Sequence, residues 1–138
     1  MHLFLDANVL FTAAYSCDGR AAALFLLAQR DRCAVLSSPH TIEEATRNLA
    51  LKAPHSMARF GEVMKLVVVV PEADLRLVAW AAAQGLPAND APVLAAAVAS
   101  AANLLVTGDR THFGHLYGSE VGGVTVVSPA EALARLLD

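Results

Sequence analysis

Apolar residues fall along this chain in short strand-like runs that alternate with longer stretches of helical spacing. The first run, His2 to Leu5, predicts a strand that ends on Asp6. A helix is predicted from about Arg20 to Arg30, with Asp18 or Gly19 near its start. Its AAALFLLA segment is apolar all round, as a well-buried helix is. CAVLSS (Cys33 to Ser38) reads as the next short strand. Ser38 and Pro39 then supply an N-cap and a first helical position for the helix carrying TIEEATRNLALK. A further helix, started by Ser56, covers MARFGEVMK. LVVVV (Leu66 to Val70) is a continuous β-branched run stopped by Pro71, the pattern of a strand covered on both faces.

The second half keeps the rhythm. EADLRLVAWAAAQG predicts a helix ended by Gly85, LPAN is a loop, and Asp90 opens the helix APVLAAAVASAA. LLVT is a strand, GDRTHFGHLYGSEVGG a Gly-rich loop, and VTVVS the last strand. Ser128, Pro129 and Glu131 form a capping box for the closing helix. No repeat or boundary interrupts the pattern, so residues 1–138 are expected to form a single domain. Strands alternating with helices predict a three-layer α/β/α sandwich around a mainly parallel sheet of about five strands.

In such open sheets ligands bind beyond the carboxyl ends of the strands, near a switch in strand order. Two carboxylates leave strands at that edge: Asp6 after HLFL, and Asp109 after LLVTG. Either alone has an ordinary explanation, since Asp is common in βα turns. Asp90 heads a helix and serves equally well as an N-cap, worth about 1 kcal/mol over Ala; helix starts share the same edge of the sandwich. A further acid comes from TIEEATRNL, whose apolar stripe is Ile42, Ala45 and Leu49. Glu43 and Glu44 flank that stripe almost symmetrically, so helical phase does not choose between them. Glu43 has Arg47 at i+4, an ordinary solvated ion pair. Glu44 faces Asn48 and has no such cation, which favours Glu44. Several carboxylates on one edge repel one another unless a divalent cation neutralises them. An all-oxygen set without Cys favours Mg²⁺ or Mn²⁺ over Zn²⁺.

Composition narrows the classes. Apolar residues make up 56% of the chain, which argues against disorder. No apolar run reaches the roughly 18 residues of a membrane span, and MHLFLDANVL lacks the basic n-region of a signal peptide. Cys17 and Cys33 form no metal or disulfide pattern, so a reducing cytoplasm is expected. The net charge is −3. If four of the 13 acids hold metal, nine remain against ten Lys and Arg, which leaves a nucleic-acid partner open. The mean hydropathy of +0.48 is what a dense Ala and Leu core produces, or a surface covered by a second copy or another protein.

FLDANVL, IEEATRNL, NDAPVLAAA and LLVTGDRTHF, in this order and spacing, resemble the PIN-domain family of metal-dependent ribonucleases, which includes the toxins of VapBC-type toxin–antitoxin pairs. The resemblance spans essentially the whole chain. It implies that Asp6, Glu44, Asp90 and Asp109 form the acidic quartet that holds Mg²⁺ or Mn²⁺. Asn8 matches a polar residue two places after the first acid, and Thr107 a hydroxyl two before the last. Glu44 followed by Ala45, with Leu49 five positions on, fits the family pattern better than Glu43. The implied activity is phosphodiester hydrolysis of RNA, with an antitoxin as partner; the apolar excess adds a second copy of the chain, a homodimer, as the other candidate to cover its surface.

Smaller candidates sit nearby. Arg110 and His112 are weak candidates for phosphate contact and read more simply as solvated loop residues. A zinc pair of His112 and His115 lacks further ligands and is rejected. Trp80 is expected to be packing. Arg47, Lys52 and Arg59 are candidates for a basic rim that sequence cannot place on one face. A phosphatase is disfavoured because Asn8 stands where a second acid is wanted, and a receiver-like domain because the chain lacks a pair of acids ahead of its strand-end Asp and a late strand-end Lys. A domain that binds metal or RNA without cutting is the remaining alternative.

Overall fold

The computed structural model describes residues 1–138. Strand β1 (His2–Leu5) is followed by α1 (Ala7–Tyr15) and α2 (Arg20–Gln29), then β2 (Ala34–Ser37), α3 (Pro39–Lys52), α4 (Met57–Met64) and β3 (Val67–Val69). The rest comprises α5 (Leu75–Ala82), α6 (Ala91–Ala99), β4 (Leu104–Val106), α7 (Arg110–Phe113), β5 (Glu120–Val121), β6 (Val124–Val127) and α8 (Pro129–Leu137). The strands form one six-stranded sheet in the order β3-β2-β1-β4-β6-β5. Every pairing is parallel except β5 with β6.

Alternation along the central strands separates two cores. Leu3, Leu5, Val35, Leu104 and Val106 face a layer built from α1, α2, α3, α4 and α8. Phe4, Leu36, Leu105 and Val126 face the opposite layer, dominated by α6 with α5 and Phe113. Successive residues of a strand point to opposite faces, so these runs must be apolar throughout. The expected α/β/α sandwich is therefore present, with six strands rather than about five.

Five local expectations change. Residues 7–15 form a helix that the apolar pattern did not announce, because β1 passes into α1 through Asp6 alone, without a loop to mark the switch. The valine run lies at the sheet edge, not between covered strands: Val68 and Val69 are 54% and 55% exposed. The Gly-rich loop contains α7, a 3-10 turn (Gly114–Leu116) and the antiparallel strand β5. The capping box at α8 is half made. The Ser128 hydroxyl accepts from the Glu131 N–H at 3.2 Å, while the Glu131 carboxylate turns to Arg135. Ser38 sits at the N-cap of α3, as expected, but its hydroxyl bonds Thr41 instead of the helix backbone.

Helix α5 ends at Ala82, three residues before the expected terminator Gly85, which instead closes the following turn with φ +84°. Gly122 is more demanding. It has φ +60°, and a Cβ there would lie 2.8 Å from Trp80 Cη2 and 3.0 Å from Val98. Trp80 is thus a packing residue under the β5–β6 hairpin. Gly122→Ala is expected to destabilise the protein by about 2 kcal/mol, from left-handed strain plus overpacking. Denaturant unfolding followed by Trp80 fluorescence measures this, and an unchanged midpoint would contradict it.

Candidate metal centre

The strand order reverses between β1 and β4, which pair side by side with Leu5 opposite Val106. Both strands end at the same level, and the Asp6 N–H donates to the Val106 carbonyl at 3.0 Å. This is the topological switch point at which open α/β sheets place ligands. Asp6 and Thr107 meet there although the chain separates them widely.

Asp6 is only 3% exposed. Its Oδ1 accepts from the Ala7 N–H at 2.7 Å; Oδ2 accepts from the Thr107 hydroxyl at 2.8 Å and the Asn8 amide at 3.1 Å. The Asn8 carbonyl in turn accepts from the Gly108 N–H at 2.7 Å, and Thr107 Oγ1 accepts from the Asp109 N–H at 3.1 Å. The turn after β4 is thereby tied to the turn after β1. Burial pushes the Asp6 carboxyl up from 3.8 to about 6; the hydrogen bonds from Thr107 and Ala7 oppose the shift, and the charges of Asp90 and Glu44 add to it.

The other acids arrive from separate elements. Asp90 stands at the N-terminus of α6 but makes no capping bond to that helix. Its Oδ2 instead lies 3.0 Å from His112 Nδ1. The capping explanation for Asp90 therefore fails at the side chain. Burial raises its carboxyl; the His112 ring pulls the other way, and the charges of Asp109 and Glu44 raise it further. Asp109 does cap, accepting the His112 N–H of the short helix α7 at 3.0 Å, while its Oδ2 lies 2.8 Å from His112 Nδ1. Glu44 accepts from the Asn89 amide at 2.7 Å, and the Asn89 carbonyl meets His40 Nε2 at 2.9 Å. Glu43 points away and pairs with Arg47 at 2.9 Å. The side chain that reaches the site is that of Glu44.

Asn8, Glu44, Asp90, Asp109, Arg110 and His112 line one open groove of about 1080 Å³. Arg20, Lys52 and Tyr117 extend its wall, with the Tyr117 hydroxyl donating to the Thr107 carbonyl at 2.7 Å. Of the three basic residues proposed for a rim, only Lys52 lies here. Arg47 is held by Glu43, and the Arg59 guanidinium donates to the Ala13 carbonyl. His112 is a correction in weight: it is no free loop residue but the side chain between Asp90 and Asp109. His115 bonds the Gln84 carbonyl, so the two histidines form no pair. Asn89, His40 and Tyr117 escaped the sequence reading, since nothing in their spacing points to this groove.

No lysine or arginine pairs with any of the four carboxylates. A donor set of four carboxylates whose one basic neighbour is the His112 imidazole fits a hard divalent cation.

The fold and this strand-end cluster define a parallel-sheet α/β protein with a carboxylate centre at its switch point. The chain matches the PIN domain over residues 2–111 and belongs to the PIN-domain family. No curated protein sequence matches it. Among solved structures it is similar in fold to PAE2754 from Pyrobaculum aerophilum, with TM-score 0.70 and 23% identity over 99% of this chain and 96% of that one. VapBC2 from Rickettsia felis, bound to a DNA fragment from its promoter, gives TM-score 0.66 at 14% identity, covering 93% and 98%. FitAB bound to a DNA fragment gives 0.56 at 18% identity, covering 92% and 94%.

The raised carboxyl of Asp6 sets the sign of a pH effect. Between 3.8 and about 6 the unfolded chain releases this proton while the folded chain keeps it. Stability from this group is thus intact below 3.8 and is lost as pH rises through about 6. Compared with Asp6→Asn, the metal-free wild type should lose up to about 3 kcal/mol across that window. Urea unfolding of both proteins with EDTA at several pH values reads the difference, and a pH-independent gap would contradict the assignment.

Proposed function

We propose that this chain is a metal-dependent endoribonuclease, the toxin of a type II toxin–antitoxin pair. The observation that carries the proposal is the convergence of Glu44, Asp90 and Asp109 on one groove, with the buried Asp6 within reach of their charges and no lysine or arginine paired with any of the four. PIN domains are generally nucleases and typically use divalent metals, which supports it. The likeness to the VapBC2 and FitAB complexes supports an antitoxin as partner. Exposed Leu51, Val68, Val69 and Leu75 offer apolar surface for that antitoxin or for a second copy in a homodimer. No helix is long and apolar enough to cross a membrane; we assign the protein to the cytoplasm.

Asp6, Glu44, Asp90 and Asp109 would hold the Mg²⁺ or Mn²⁺. When bound, that cation supplies an activated water and stabilises negative charge developing on the phosphate. The chain's own residues do the rest. Thr107, Asn8 and the Ala7 amide fix both oxygens of Asp6 in one orientation. Asn89 holds Glu44 from the opposite side of the groove. Arg20, Lys52 and Arg110 along the walls would receive backbone phosphates and set the strand across the carboxylates. In-line attack of water at phosphorus, with departure of the 3′ oxygen, leaves 5′-phosphate and 3′-hydroxyl ends.

The test is cleavage of labelled single-stranded and structured RNAs with Mg²⁺, Mn²⁺ or EDTA. Wild type should cut only with metal, and Asp6→Asn should lose about 100-fold or more of the rate. Should neither protein cut while Mn²⁺ binding is lost in Asp6→Asn, the proposal reduces to a non-catalytic metal-binding domain.

A further inference from the structure

The geometry points to His112 as a direct ligand of the cation, through Nδ1; we propose that this nitrogen biases the centre towards Mn²⁺ over Mg²⁺. The inference rests on the metal-centre assignment above and adds to it the residue that sets metal preference.

His112 Nδ1 lies 2.8 Å from Asp109 Oδ2 and 3.0 Å from Asp90 Oδ2. One ligand atom from each of the three residues falls within a 4.8 Å cluster. Adjacent ligands around a six-coordinate cation with bonds of about 2.1 Å stand roughly 3 Å apart. The ring nitrogen therefore already keeps the spacing that a shared cation imposes on both carboxylates. Without a cation the arrangement is incomplete: one ring nitrogen can present one N–H, which two carboxylate oxygens must divide. A cation among the three takes a lone pair from each.

Local structure holds the ring there. Asp109 caps α7 by accepting the His112 N–H at 3.0 Å, so backbone and imidazole engage the two oxygens of the same carboxylate. The next residue, Phe113, is fully buried in the core beneath α6 and anchors the short helix. The His112 side chain is 45% exposed and lines the groove, so no burial forces the ring onto the acids. It is placed by the cap below it.

Carboxylates alone suit Mg²⁺ and Mn²⁺ alike, whereas an imidazole donor favours the transition metal. Asp6, Asp90, Asp109 and Glu44 thus supply the charge, and His112 supplies the discrimination.

The experiment is pulsed EPR of the Mn²⁺-loaded protein, paired with calorimetric titration of Mn²⁺ and Mg²⁺. Wild type should show a ¹⁴N coupling to Mn²⁺ that disappears in His112→Ala and persists in His40→Ala. His112→Ala should bind Mn²⁺ about tenfold more weakly, with Mg²⁺ affinity changed far less. His112→Gln, which returns an oxygen donor, should lack the nitrogen coupling and the Mn²⁺ preference. Two results would overturn the inference while leaving the metal centre standing. One is Mn²⁺ bound to wild type without nitrogen coupling; the other is His112→Ala binding Mn²⁺ as tightly as wild type or tighter, which would make the ring a competitor. Failure of wild type to bind Mn²⁺ at all would instead remove the metal centre itself, and this inference with it.

Discussion

A carboxylate almost without access to water organises the carboxyl edge of this sheet. Asp6 is 3% exposed, and a buried polar group left unpaired costs on the order of kilocalories, a charged one more. Its partners therefore have to be in place. Thr107 comes from the end of β4, Asn8 from the first turn of α1, and the Ala7 amide from the cap of that helix. Together they fasten the exits of β1 and β4 in register. Ser37 extends the same clamp, its hydroxyl donating to the Leu5 carbonyl at 3.0 Å. A slip of one residue in either strand would orphan the carboxylate and turn Leu3, Leu5, Leu104 and Val106 to the wrong face.

The remaining acids depend on close packing behind that clamp. Ala91, Val93, Leu94, Ala95, Ala96 and Ala97 of α6 are all 2% exposed or less. Small side chains let this helix lie near the sheet, which brings its N-terminus, and Asp90, to the level of the strand exits. Asn89, just ahead of it, reaches across to Glu44 on α3. The acids thus belong to opposite layers of the sandwich and to both central strands. Burial is the main cause that raises Asp6 and Asp90, and the charges of the neighbouring acids add to it.

Part of this was legible from residue order alone. Strands β1, β2, β4 and β6 stand out because strands in the middle of a parallel sheet are buried on both faces and so read as unbroken apolar runs. The valine run around β3 has the same appearance yet lies at an edge; apolar composition does not encode which neighbours a strand receives. Helix α1 was hidden because its cap is also the last residue of a strand exit, leaving no turn residues between the two. Strand β5 is two residues long and rests on the hairpin formed by Gly122 and Gly123, too short for any periodicity.

The candidate site divides in the same way. Asp6 and Asp109 were visible as acids leaving apolar strands, and the absence of a cation at i+4 separated Glu44 from Glu43. Those are local properties, carried by adjacent residues and by helical spacing. Asp90 was ambiguous, since a helix cap and a site carboxylate occupy the same position in the chain; the missing capping bond, a tertiary observation, distinguishes them. His112 looked like a solvated loop residue until Asp90 was brought up against Asp109, and Asn89 had no signal at all. Sequence by itself determined the sandwich and the carboxylates, because burial and backbone geometry act through neighbours along the chain. Only the tertiary structure decided which groups share the groove, because distances between separate elements are set by how helices pack on the sheet.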